Sequence, residues 1–291
     1  MFKIFSRTFF PAAWLGWQIE SNWTDPFLFI VFSILKPIAS VMILVFMYNA
    51  VSRNAADSPI YSYIYLGNAF YIYVGAVMAG GSYSILDDRE RYRSLKYIYI
   101  APINIPIYLL GRAVARFITG TIAVFITLSA GVLFFKVPLN ILNINWLMLI
   151  SAMILGVACL TFMGIVLGMW TLTLRTEPWF IGEAVAAALY LFSGAIFPIT
   201  ILPTILQPIG FIMPMTYWLE LPMTYWLELI RRSLLGSGAA AFPTLAGFSD
   251  IQLFGILGII TLAFGLIASF AYRFFDKVAR DNGMIDAQSN F

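Results

Sequence analysis

The stretch Leu147–Leu174, LMLISAMILGVACLTFMGIVLGMWTLTL, holds no charged residue. A helix crossing the hydrocarbon core needs about 20 largely apolar residues, and this run exceeds that length. Five further runs share its character: Phe27–Ala50, Tyr61–Leu86, Ile107–Phe135, Trp179–Phe197 and Ile251–Tyr272. Barrel strands alternate every second residue, whereas these runs are continuously apolar and far too long. The fold class predicted is therefore an all-α membrane protein with six transmembrane helices. Composition agrees: 61% of the 291 residues are hydrophobic and 11% charged, against about 45–50% and about 25% in soluble domains. That excludes a water-soluble globular enzyme.

Orientation follows from Lys and Arg. With the N-terminus in the cytoplasm, twelve basic residues fall inside, from Lys3 and Arg7 through the Arg89–Lys96 cluster to Arg273, Lys277 and Arg280. Only Arg53, Lys136, Arg231 and Arg232 fall outside, while Lys36 lies within the first span. Both termini are thus expected in the cytoplasm. Trp146, Trp170 and Trp179 sit at span ends, and Trp218 and Trp226 in the last external segment, as headgroup-level indoles should. No clean apolar region with a cleavage site follows Lys3 and Arg7, so the start reads as retained.

Three segments lie outside the spans of what reads as a single transmembrane domain over 1–291. In residues 1–26, Phe5, Phe9, Ala13 and Trp17 recur near helical spacing, which suits an interfacial amphipathic helix or, alternatively, a loosely ordered tail. The 87–106 loop, DDRERYRSLKYIYIAPINIP, is the most charged part of the chain. Asp87 followed by Glu90 resembles a capping box that starts a short helix. Arg89, Arg93 and Lys96 would then form one stripe and Tyr92, Leu95 and Tyr99 another, with Pro102 ending the helix. Such a helix docks a partner protein, or the loop is a solvated basic turn that fixes topology. In the 198–250 external segment, prolines at 198, 203, 208, 214 and 222 divide apolar sequence into pieces too short to span. Short re-entrant helices between spans five and six would satisfy their backbone. Here PMTYWLEL occurs twice in succession, at Pro214–Leu221 and Pro222–Leu229.

Chemistry is sparse. The absence of histidine and the presence of one cysteine, Cys159, leave no metal cluster or disulfide framework. None of the five lysines follows a glycine, so no phosphate-binding G-x-x-x-x-G-K-[ST] loop exists. No catalytic, metal or nucleic-acid site is expected. Lys36 and Glu183 are the deepest ionisable groups, either approaching each other or snorkelling separately. Asn68, Tyr71 and Tyr73 either line a translocation path or pack against a neighbouring helix. Gly164 and Gly168 form a G-x-x-x-G pair that permits close helix approach.

The order of these pieces resembles the permease subunit of ABC type-2 exporters. The likeness rests on an interfacial N-terminal segment leading through Asp25-Pro26 into a span with Pro37. It rests also on Asp87-Asp88-Arg89-Glu90, Ala101-Pro102 and Leu110-Gly111-Arg112; on Ser193-Gly194-Ala195-Ile196-Phe197-Pro198 with Leu202-Pro203; and on Met215-Thr216-Tyr217-Trp218-Leu219-Glu220 with Ile230-Arg231-Arg232. The tandem octapeptide departs from the family's usual single copy. The resemblance implies two permease copies, or a homologous pair, around a path through the lipid bilayer of the plasma membrane. It implies a separate ABC ATPase subunit that binds ATP and Mg, with no cofactor in this chain. Asp87, Asp88, Glu90, Arg93 and Leu95 are the expected coupling residues, and Arg112 and Arg116 would fix the cytoplasmic mouth. The expected cargo is an amphiphile, drug or lipid-like; a polysaccharide or glycolipid is the alternative, and an ATP-independent channel or secondary transporter a further one.

Overall fold

The computed structural model describes residues 2–21, 25–51, 59–135, 137, 139, 143–174, 179–192, 214–236 and 247–285. Within them every extended element is helical. Helix α1 (Phe2–Ser21) precedes α2 (Pro26–Val51). The next helical run has two wide π-type turns, as α3 (Pro59–Tyr73), Val74–Ala79, α4 (Gly80–Leu86) and Asp87–Arg91. After a break come α5 (Leu95–Ile100), α6 (Ile105–Phe134), α7 (Trp146–Leu172), α8 (Phe180–Phe192), α9 (Pro214–Leu235) and α10 (Asp250–Asp281). Four helical runs, Tyr61–Arg91, Ile105–Phe134, Trp146–Leu172 and Asp250–Asp281, are long and apolar enough to cross a membrane. Shorter apolar helices cover Ser33–Met47 and Phe180–Tyr190.

Local chemistry sets the boundaries. Asn104 and Asn145 accept from the backbone N–H of Ile107 and Met148, starting α6 and α7. Ser249 and Gln252 close a reciprocal capping box on α10. Ala101 is extended, as the residue before Pro102 must be, so α5 ends there.

The core lies where the Tyr61–Arg91 run, α7 and α9 meet, around Leu66, Met78, Leu160, Met163, Trp226 and Leu229. Glycines permit the approach. A Cβ on Gly164 would fall 2.8 Å from the Met78 carbonyl, and one on Gly168 2.7 Å from Ile85 Cδ1, so the G-x-x-x-G pair seats α7 on the second span. Outward faces stay apolar, with Phe125 and Leu133 on α6, Ile154 on α7 and Leu262, Leu266 and Phe270 on α10 exposed. In lipid such a surface carries no penalty.

Several expectations are corrected. Asp87 does not begin a helix: no side chain caps that turn, and the chain is already helical through Leu86. The N–H groups a capping box would satisfy are occupied by the preceding turn. The proposed stripes share no helix either, because the run ends at Arg91 and Arg93 turns the chain with φ +51°. On α1 the face packed against the bundle is Thr8, Ala12 and Gly16, beside the line through Phe5, Phe9, Ala13 and Trp17. Small side chains win that face because a Cβ on Gly111 of α6 would lie 2.7 Å from both Ala12 Cβ and Phe9 O. Pro222 does not break the last external segment; α9 runs through both octapeptide copies. Its Trp226 is fully buried in protein, against Gly156 of α7 and edge-on to Tyr73. Gly156 lies about 15 Å along α7 from Trp146 at 1.5 Å per residue. The residues 193–213, with the Ser193–Pro203 motif, lie outside the described residues.

Candidate functional site

Charged side chains gather at one end of the bundle, where α1, the 87–91 turn, α6 and the end of α7 meet. Asp88 is at its centre. Its Oδ1 accepts from Arg112 Nη1 at 3.0 Å and its Oδ2 from Tyr108 Oη at 2.7 Å. The two charged side chains are 1% and 2% exposed. The pairing follows from α6 spacing: Tyr108 and Arg112 are four residues apart and so share a face. Burying charge is costly unless it is paired and hydrogen-bonded, and both conditions hold here.

Around this pair each neighbour ties two elements. Arg116, one turn beyond Arg112, reaches Glu20 of α1 at 2.8 Å and Asp87 at 3.8 Å. The α1 and α6 helices run in the same sense, Gly16 meeting Ala115 as Glu20 meets Arg116. Burial pushes the Glu20 carboxyl above its ordinary value; Arg116 and Arg112 oppose the shift and Asp87 adds to it. Arg89, also buried, donates through Nη1 to the carbonyls of Leu172 and Leu174 at 2.9 and 3.4 Å. Those are the orphan acceptors of a helix C-terminus. Its Nη2 pairs with Glu90 at 2.6 Å.

This clasp anchors the start of α5. The Ser94 N–H donates to the Asp88 carbonyl at 2.8 Å, and the left-handed Arg93 reverses the chain into the helix. On the inner side of α5, Leu95 packs in a second cluster with Ile105, Tyr108, Leu109 and Leu172. Tyr99 lies under the Arg280 guanidinium, 4.7 Å from the ring centroid. Arg280 in turn pairs with Asp276 at 3.0 Å, so α5 is latched to the end of α10. Burial and the Asp276 carboxylate push the Tyr99 phenol well above its ordinary value. On the outer side Tyr97 is 66% and Ile100 80% exposed, beside exposed Tyr92, Arg91 and Arg93.

Of the expected coupling residues, Asp87, Asp88 and Glu90 turn into the clasp, Leu95 is core, and Arg93 is exposed. Sequence reasoning missed Tyr97 and Ile100 as the presented surface. The signal was there: once Leu95 and Tyr99 are the inward pair, spacing puts residues 97 and 100 on the far side.

The path candidates fall at separate places in the bundle. Lys36 is exposed on α2, and no ion pair joins it to Glu183 among the described residues. Glu183, in the first turn of α8, instead lies by Tyr83, Asp87 and Arg116 around a cavity of about 330 Å³. Tyr71 donates to the Ala186 carbonyl, Tyr73 to Thr121 Oγ1 at 3.0 Å, and Asn68 Oδ1 accepts from Tyr190 at 2.9 Å. All three therefore join helices to one another. At the opposite end of the core, Arg231 of α9 is buried with its guanidinium 3.3 Å from the Tyr63 ring centroid. It donates to the Tyr63 carbonyl at 3.2 Å.

Long apolar helices around a glycine-tightened core, with a charged clasp at one end, define a multi-pass membrane protein. The chain belongs to the ABC-2 type transporter family, which it matches over residues 13–234. It is thus a permease, the membrane component of a transporter, of a family that normally pairs with an ABC ATPase. The match takes in α1 residues from Ala13, the clasp and α9, and stops short of α10. A comparison with curated proteins returned no match.

Proposed function

We propose that this permease is the path-forming subunit of an ATP-driven exporter, and that α5 is where the ATPase docks. The observation that carries the reading is the exposed Tyr97–Ile100 surface on a helix immobilised from beneath. A short helix transmits force only if its base is rigid, and here its base is the Asp88–Arg112 clasp on one side and the Arg280 latch on the other. An apolar and aromatic knob flanked by Arg91 and Arg93 suits a protein groove with an acidic rim.

In this reading α2 and α8 complete six spans. Both termini lie at the plasma membrane's cytoplasmic face, where the basic clusters belong. A second permease copy closes the path, and the cargo is an amphiphile, drug or lipid-like, because the apolar helix surfaces offer no charge to solvate a free ion. A photoreactive benzoylphenylalanine at position 97 tests the docking in intact membranes. Ultraviolet crosslinking to a protein with an ATP-binding cassette is the expected result. Crosslinks to lipid alone would remove α5 from this role.

A further inference from the structure

The geometry points to a binding site for an organic ammonium compound in the cavity between the second span and α8. The cavity, about 330 Å³, lies at the low end of the ligand-pocket range, about 300–1,000 Å³, and opens outward where Glu183 and Phe180 are exposed. It is lined by Tyr83, Asp87, Arg116, Trp179, Phe180 and Glu183. Its charges are unequal in availability. Arg116 is held by Glu20 at 2.8 Å and faces Asp87 at 3.8 Å, so the cation and one carboxylate are already engaged. Glu183 hydrogen-bonds the Tyr83 phenol and has no basic partner among the described residues.

Beside that carboxylate stands an aromatic wall. The Tyr83 and Trp179 rings stack with centroids 6.0 Å apart and planes 27° apart, and Phe180 adds a third ring. Ring faces attract cations, quaternary ammonium groups above all, and a carboxylate alongside selects the same charge. A further observation concerns the body of the ligand. The Trp179 indole Nε1 is buried and has no hydrogen-bond partner. That atom is covered by protein, so the wall offers an apolar body ring faces and no donor. The ligand class is thus an ammonium compound with an apolar body. As a statement about binding it goes beyond the transport reading and does not depend on any ATPase.

Benzoylcholine carries both features and is the probe. The purified full chain in phosphatidylglycerol nanodiscs is titrated by calorimetry, with benzenesulfonate as an anion of similar size. Saturable binding of benzoylcholine and none of benzenesulfonate is expected. Glu183→Gln should weaken binding by about tenfold or more, and Trp179→Leu similarly, while Trp179→Phe, which keeps a ring, should retain more of it. Unfolding midpoints of each variant confirm a folded chain; if Glu183→Gln does not fold, the Trp179 pair decides. Equal binding of the anion, no saturable binding, or variants that bind like the wild type would overturn the proposal. Those results would show that the Tyr83 phenol and the N-terminal dipole of α8 satisfy Glu183 without a ligand. They would leave ATP-driven transport untouched, which separates failure here from failure of the transport reading.

Discussion

Removing the Asp88 carboxylate is the sharpest perturbation of the clasp. In Asp88→Ala, Arg112 stays buried, 2% exposed, with its charge uncompensated, and the Tyr108 hydroxyl loses its acceptor. Breaking a buried pair from one side costs about 3–5 kcal/mol, because the remaining charge has no water to return to. Replacing both members with apolar residues, as in Asp88→Leu with Arg112→Met, removes that charge. The double variant should then recover most of the loss, leaving about 1–3 kcal/mol for the orphaned Tyr108 hydroxyl. The comparison pair is Arg280–Asp276, whose arginine is 51% exposed. An exposed pair is worth about 0–1 kcal/mol, so Asp276→Asn should cost little by the ion-pair route. Unfolding in one detergent, followed by denaturant titration, gives the stability of the wild type and of these three variants. If Asp88→Ala is as stable as an exposed-site control such as Tyr97→Ala, the clasp is not held by this pair.

Other outcomes are open to measurement. Gly156→Ala places a methyl group within the van der Waals radius of the buried Trp226 indole and should destabilise by about 1–3 kcal/mol. Gly255→Ala, with open space around it, should stabilise α10 by up to about 1 kcal/mol, and unfolding midpoints distinguish the two. The Glu20 carboxyl binds its proton more tightly folded than unfolded. Its contribution to stability is therefore full below its ordinary value of 4.5 and lost as pH rises through the raised folded value. The stability of wild type relative to Glu20→Gln should fall across that window, as unfolding midpoints at stepped pH would show. Ile100→Asp, at an 80% exposed position, should leave the unfolding midpoint within about 0.5 kcal/mol of wild type while abolishing association with the ATPase in co-purification.

Much of the architecture is written in the chain. Uncharged runs such as Leu147–Leu174 leave a helix no alternative in lipid, and the spacing of Gly164 and Gly168 already marked the face of α7 that meets the second span. What local pattern could not show is where one apolar or charged group meets another from a distant part of the sequence. Asp87 and Glu90 have the spacing of a cap, and only the continuation of α4 through Leu86 shows that nothing there needs capping. Asp88 and Arg112 are 24 positions apart, and no period relates them. Trp226 looks like an interfacial residue by type and is drawn inside because Gly156, 70 positions earlier, leaves room for an indole. The α5 surface was inverted for the same reason. Charge marks Asp87, Asp88 and Glu90, which the fold turns inward, while the uncharged Tyr97 and Ile100 stand exposed.

The division of labour between a path-forming chain and a separate ATPase is tested most directly by uptake into inside-out vesicles. Vesicles carrying the chain together with its ATPase partner, supplied with ATP and Mg, should accumulate an amphiphilic dye, and Ile100→Asp should abolish the accumulation. Vesicles with the chain alone should neither hydrolyse ATP nor concentrate the dye. Concentrative uptake or nucleotide hydrolysis by the unaccompanied chain would contradict the account.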